Sequence, residues 1–476
     1  MKPLILCALL ALSGCATIGA DFAAPAQAIA PAWRHAAATD AARLPAAWWT
    51  VFGDATLNEL EQRAVRDNPG VKAAAQRLLQ AQAQLGTLRA AQAPNVNVGT
   101  SVANSRSSQY TSQSLMLGGR SVEGNNYTVG AQLSYELDLW GRVKRVVEVA
   151  DAQALATQHD RDGVVLLLSA QVASTYFQLR GTDAELAILI RALAARSEAQ
   201  KVIEARFDSG LTNELDVSRA RIERANAEAD LHEIGRQRNL LEHSLATLTG
   251  VAPTSPLIAA TPATVMPAPP AIPVGLPASL LGQRPDLAAS VAGLRAANAQ
   301  VAVSEGAFYP SLSLTSNFGF ASESLSDLAR GGARQFSVGP LALSLPMFDG
   351  GRNKASLAMS KARYAEALAS HEGKLLTALR EVEDALSDSQ QRQLQGEAQA
   401  KSQQAAARAV LVATARYERG LSTYLDVTDA QRSALAADRT AAQIGTQRLL
   451  AAVAVARALG AGWTPQAPEA TIAKAN

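Results

Sequence analysis

Asp426 and Asp429 lie three positions apart, the spacing that places two side chains on one face of a helix. Acidic side chains gathered in this way favour cations for ordinary electrostatic reasons. The chain carries a second, altered version of the pair 210 positions earlier, where Asp216 is followed by Arg219. Tyr417 likewise has Phe207 as its earlier counterpart, so the later site gains a hydroxyl that can bond Asp216. A simpler role for Asp216 and Asp426 is to complement a helix dipole, worth about 0.3–1 kcal/mol. That role covers the two shared aspartates but not the change from Arg219 to Asp429.

Enzymatic chemistry finds little footing. The chain contains no GxSxG, Walker or dinucleotide-binding fingerprint. None of His35, His159, His232, His243 and His371 has a histidine four positions away. His232–Glu233 and His371–Glu372 open like HExxH but lack the second ligand, so both histidines are expected on helix surfaces and neither metal nor cofactor is expected. The formal charge of +2 is too balanced to argue for nucleic acid.

Cys15 has the most specific context of any reactive residue. Lys2 precedes an apolar run, Leu4 to Leu12, which is too short to span a bilayer. Leu12–Ser13–Gly14–Cys15 then resembles a bacterial lipobox. Residues 1–14, with Cys7, are expected to be removed and Cys15 to carry lipid, which gives a firm anchor. Position 16 is Ala and not Asp, which in such lipoproteins points to the outer membrane. The alternative is an ordinary signal with a chance cysteine. Beyond it no run of about 20 apolar residues exists.

The elements that position these residues come in two copies. ARFDSGLTNELDV, 205–217, returns as ARYERGLSTYLDV, 415–427, and Trp140–Gly141–Arg142 aligns with Gly350–Gly351–Arg352 at the same offset. A large unit has been duplicated. Each copy reads as a hairpin tip. Gly210 and Gly420 end a helix in the left-handed conformation, and Thr212 and Ser422 cap the next one.

Long helical stretches lead into both tips, Arg142 to Phe207 and Arg352 to Tyr417, each about 100 Å if unbroken. Val172, Leu179, Leu186 and Leu193 recur every seven residues, with Tyr176 and Ile190 between them. Leu368, Leu375 and Val382, with Leu379 and Leu386, repeat the spacing as a coiled-coil seam. Before each long helix the period changes to two. Tyr127, Val129, Ala131, Leu133, Tyr135 and Leu137 alternate with polar residues, and Val96 to Val102 form a weaker partner. In the second copy Leu312, Leu314, Phe318 and Phe320 share a face, and a strand over Phe336 to Leu345 is interrupted at Gly339–Pro340, which suggests a bulge. Such strands suit a soluble sandwich edge or, at this length, a tilted membrane strand.

The expected organisation is a signal peptide at 1–14, a lipidated extended segment at 15–56 and a first repeat at 57–250. A Pro-rich linker at 251–283, a second repeat at 284–460 and a tail at 461–476 complete it. Hydrophobic residues make up 48% of the chain and aromatics only 5%, which suits long helices packed closely side by side. Four strands cannot close a barrel and open edges are not tolerated in lipid, so copies must pool strands, eight from two copies or twelve from three.

The lipobox, Trp48–Trp49 with Phe52–Gly53–Asp54, the WGR and GGR turns, Gly275 to Asp286 (GLPASLLGQRPD) and the paired tips together resemble the outer-membrane efflux channels, the TolC-like outer membrane factors, and most closely their NodT-type lipoprotein branch. The resemblance covers essentially the whole mature chain, with Gln283 standing where the family often has Arg. It implies an α+β fold: a trimeric twelve-stranded barrel in the outer membrane, continuous with a helical barrel in the periplasm. It implies a passive exit duct for small molecules, working with a periplasmic adaptor and an inner-membrane pump. Gly210, Leu211, Thr212, Gly420, Leu421 and Ser422 would be the adaptor-docking tips. Asp426, Asp429, Tyr417 and Asp216 would form the periplasmic gate, with Ser422 where some members complete a lock with Arg. Protein secretion and a non-conducting anchored rod are the rival functions.

Overall fold

The computed structural model describes residues 17–25, 30–35, 44–110, 116, 118, 120–260 and 266–464. The signal segment and Cys15 lie outside the described residues. Among the described residues seven α-helices and four strands follow in order: α1 (Ala55–Asp67), α2 (Pro69–Arg89), β1 (Asn95–Arg106), β2 (Glu123–Leu137), α3 (Arg142–Asp208), α4 (Glu214–Leu248), α5 (Pro285–Gly306), β3 (Ser311–Ser322), β4 (Arg334–Ser344), α6 (Arg352–Glu418) and α7 (Tyr424–Ala458). The duplication is visible in length, since α3 and α6 each have 67 residues and α4 and α7 each have 35. No described helix is long and apolar enough to cross a membrane.

The chain divides into two compact units. The first takes Leu78–Thr157, Ser290–His371 and the described residues up to Pro25. It contains the sheet, an antiparallel ladder in the order β1-β2-β3-β4, so the two repeats meet at the β2–β3 pairing. The pairing sorts the side chains by face. Val96, Val98 and Val102 share one face with Leu133, Ala131 and Tyr127, then with Phe318, Phe320, Leu314 and Leu312, and finally with Phe336, Val338, Leu341 and Leu343. That face is exposed; Val98, Val338 and Phe336 each show more than 70% of their surface.

The opposite face is polar and mostly uncharged. One row reads Asn97, Gln132, Asn317 and Ser337 across all four strands. The next reads Gly99, Gly130, Gly319 and Gln335, and at Gly130 and Gly319 the β2 and β3 backbones approach too closely for a side chain. A Cβ on Gly319 would lie 2.3 Å from the Val129 carbonyl oxygen. The register slips between Leu314 and Ser316, opposite Gly339–Pro340, which is the expected bulge. β1 and β4 are left as edges with no partner strand among the described residues.

The second unit takes Ala26–Arg77, Gln158–Ala289 and the chain from Glu372 onward. Its largest core gathers Trp48, Leu57, Leu60 and Ala64 against Val172, Tyr176, Phe177, Leu179, Leu449 and Val453. The FGD motif has a mechanical explanation here. Gly53 adopts φ 67°, and Asp54 Oδ1 accepts from the Thr56 and Leu57 amides to cap α1. Asp54 Oδ2 accepts from the Tyr176 hydroxyl at 2.5 Å, and burial followed by this bond pushes that phenol up to about 12. The linker is clamped at 257–259: Arg180 donates to the Ala259 carbonyl, Arg238 to that of Ile258, and Glu242 accepts from the Leu257 and Ile258 amides.

Several expectations need correction. The segment 15–56 is not extended to its end, because Trp48–Phe52 forms a 3-10 turn and α1 starts at Ala55. Ala461 is buried and Trp463 donates to Asp162, so the packed chain runs past 460 into the expected tail. Gly460 and Gly462, with φ 85° and 74°, turn it back. The heptad seam holds at Val172, Tyr176 and Leu179 but then drifts to Ala184 and Ile188, leaving Ile190 56% exposed. A straight helix rotates by about 20° per heptad away from such a seam. His232 is exposed, as expected of a surface residue, but His371 is buried, with Nδ1 2.7 Å from the Ser290 hydroxyl.

Candidate functional site

Both tips end in the same backbone motif. Gly210 and Gly420 each adopt φ 71°. In the first tip Leu211 N–H donates to the Arg206 carbonyl and Gly210 N–H to that of Phe207, both at 2.8 Å. In the second, Leu421 donates to Arg416 and Gly420 to Tyr417, both at 2.9 Å. These are Schellman closures, which require a left-handed residue at this position and explain the glycines. A hydrophobic contact commonly accompanies the closure, yet Leu211 and Leu421 are 74% and 62% exposed. Backbone geometry therefore accounts for the glycines but not for the leucines that follow them.

The caps sit one residue later than expected. Asn213 caps α4 by accepting from the Asp216 amide, and Thr423 caps α7 in a capping box with Asp426. Thr212 instead donates its hydroxyl to Asp216 Oδ2 at 2.8 Å. The Ser422 hydroxyl is out of solvent and has no hydrogen-bond partner among the described residues.

The acids are treated differently in the two tips. Asp216 accepts from Thr212 on one oxygen and from Arg219 on the other, at 3.4 Å, and its side chain is only 15% exposed. Asp426 spends Oδ2 on the Thr423 amide and hydroxyl, at 2.9 and 3.0 Å. Asp429 is 62% exposed and meets only the edge of Arg432, at 3.5 Å. Within one chain the Tyr417 hydroxyl does not bond Asp216. The Arg206 guanidinium lies 5.1 Å from the centre of the Tyr417 ring, and the Tyr424 ring packs 5.7 Å away.

Apolar packing holds the two tips against each other. Ile203, Val217 and Ala220 of the first repeat meet Tyr424, Val427, Ala413 and Tyr417 of the second. Beside them Glu223 is buried between Arg196 and Arg432. Arg432 reaches on to Asp429, so one buried carboxylate positions the arginine beside the exposed one. Burial, then the nearby Tyr417, Glu223 and Asp216, pushes the Tyr424 phenol up. Arg196, Glu223, Tyr424 and Arg432 escaped the sequence reading. The signal for three of them was present, because at the repeat offset Glu223, Tyr424 and Arg432 face Ser433, Glu214 and Ile222.

Comparison with known proteins agrees with this geometry. Residues 60–251 and 276–461 match the family model described as outer membrane efflux protein. The chain is 34% identical over 455 residues to the outer membrane protein OprJ of Pseudomonas aeruginosa, covering 94% of each. It is 31% identical over 477 residues to the toluene efflux pump outer membrane protein TtgI of Pseudomonas putida, covering 97% of this chain and 98% of that one. The solved structure of the outer-membrane channel OprN superposes with a TM-score of 0.86 at 31% identity, covering 94% of this chain and all of that one. The four-stranded sheet, the long paired helices and these matches together show that the chain belongs to the outer membrane efflux protein family and forms an outer-membrane channel of an efflux system.

Proposed function

We propose that three copies close one duct through which small molecules pass passively from an inner-membrane pump and a periplasmic adaptor to the outside. The observation that carries this is the sheet. It has an exposed apolar face, a mostly uncharged polar face and two unpaired edges, β1 and β4. Lipid tolerates no open edge, so β1 of one copy pairs with β4 of the next. Twelve strands leave room for a lumen lined by the polar face. TtgI, named for toluene efflux, favours small molecules as the cargo.

In the trimer Asp426 and Asp429 form two stacked acidic rings at the periplasmic entrance. Tyr417 and Asp216 belong to the same gate, the bond between them being made across chains. Leu211 and Leu421, with Gly210, Thr212, Gly420 and Ser422 around them, are the surface for adaptor hairpins. Cys15 carries the lipid that tethers the chain to the outer membrane.

Single-channel recording of the purified trimer in a planar bilayer tests the duct. We expect cation-selective conductance, and weaker selectivity and weaker block by multivalent cations in Asp426→Ala with Asp429→Ala. Unchanged selectivity in an intact trimer of the double variant removes the rings. Crosslinkers at Leu211 and Leu421 should capture the adaptor; capture only from positions near the sheet reverses the orientation.

A further inference from the structure

The first described residues form a strap at the foot of the sheet. Ile18 is buried, its amide donates to the Trp140 carbonyl at 3.1 Å, and nearly buried Arg145 donates to the carbonyls of Ile18 and Gly19 and to Asp21. The fit is close at two glycines. A Cβ on Gly19 would lie 2.3 Å from that of Ala302, and one on Gly141 3.0 Å from the Thr17 side chain. Beside the strap opens a cleft of about 540 Å³, lined by Thr17, Ile18, Trp140, Phe308 and Tyr309, with Gly19 and Glu305 completing the wall. The indole of Trp140 donates to the Pro310 carbonyl at 2.8 Å and stacks 5.4 Å from Tyr309, while Phe308 and Tyr309 remain nearly half exposed.

We propose that this cleft seats an acyl chain of the lipid on Cys15; the inference rests on the reading of Cys15 as lipidated. Position argues for it first. Thr17 lines the cleft and Cys15 is two residues away, at most about 7 Å of chain. The strap is pinned immediately afterwards, so a lipid on Cys15 is within reach of the cleft. Chemistry argues for it next. Trp140 and Tyr309 are the kind of rings that sit at the boundary of a bilayer, and Phe308 adds an apolar wall. The cleft also begins three residues beyond Leu137 and Leu312, a paired rung of the apolar sheet face. Charge decides between lipid sources. Glu305, paired only loosely with Lys361 at 4.0 Å, repels the phosphate of a bilayer phospholipid but not a hydrocarbon chain delivered from Cys15.

The test places p-benzoylphenylalanine at Phe308, or separately at Tyr309, in the full-length protein in cells, with irradiation followed by mass spectrometry. The expected product joins that residue to the acylated peptide beginning at Cys15. Phe308→Asp should abolish the product formed from position 309 while leaving the mass of the mature N-terminus unchanged. An acylated N-terminus with crosslinks only to phospholipid, only to a second copy of the chain, or to nothing overturns the cleft and leaves the anchor standing. An unmodified Cys15 overturns the anchor, and the seat with it.

Discussion

The two helix tips share a backbone and differ in charge. Both close on a left-handed glycine with the same pair of hydrogen bonds. In the first, Asp216 is enclosed by Thr212 and Arg219; in the second, Asp429 stands largely open to solvent, meeting only the edge of an Arg432 that is shared with Glu223. Duplication kept the part that turns the chain and released the part that meets the solute. A tip can therefore be retuned by replacing one side chain at its fourth helical position or beyond, without touching the fold.

The largest expected contrast is functional. Asp216→Ala with Arg219→Ala should leave ion selectivity unchanged, whereas the matching change in the second tip weakens it. Equal effects in bilayer recordings would break the distinction between the tips. Glu223→Ala should cost about 3–5 kcal/mol locally, because it strands buried Arg196, and should release the arginine it positions beside Asp429. Hydrogen exchange would show both tips loosening, since they share one apolar cluster.

A carboxyl outside both tips provides the contrasting case of an acid that is never open. Glu61 in α1 is fully buried, without a hydrogen bond of ordinary geometry, and burial, only partly offset by the Ala173 backbone, pushes it up to about 9. Its stability contribution is full below the unfolded value near 4.5 and is lost as pH rises toward about 9. Glu61→Gln should therefore remove a pH dependence of stability of up to about 1.4 kcal/mol per pH unit and flatten the pH dependence of Tm. An unchanged slope would show that Glu61 is already charged. The smallest effects test the shared part: Gly210→Ala and Gly420→Ala should each cost about 1–2 kcal/mol, and equally.

Most of the fold was legible because periodicity and duplication report directly on backbone. The long helices came within one residue of their observed ends, and the bulge at Gly339–Pro340 was marked by its own sequence. The caps at Asn213 and Thr423 were missed by one position because Thr212 and Ser422 have equally suitable hydroxyls, and only the dihedral angles choose between them. The seam past Leu179 was missed because its partners lie in another repeat; Ala184 and Ile188 pack on Ala442. At the site, the aspartates were visible through the repeat comparison, but the burial of Glu223 between two arginines from distant stretches was not.

The β2–β3 pairing joins strands separated by residues 138–310. Each repeat can zip its own hairpin early, since β1–β2 and β3–β4 are local contacts. The seam between them must wait until the whole intervening helical hairpin has been delivered across the inner membrane, and such distant pairings form slowly. Until then β2 has a bare edge of the kind that recruits other chains. During biogenesis the hazard is therefore concentrated in the interval between export of the first half and arrival of the second, and factors that shield unpaired β-edges should bind this chain in that interval.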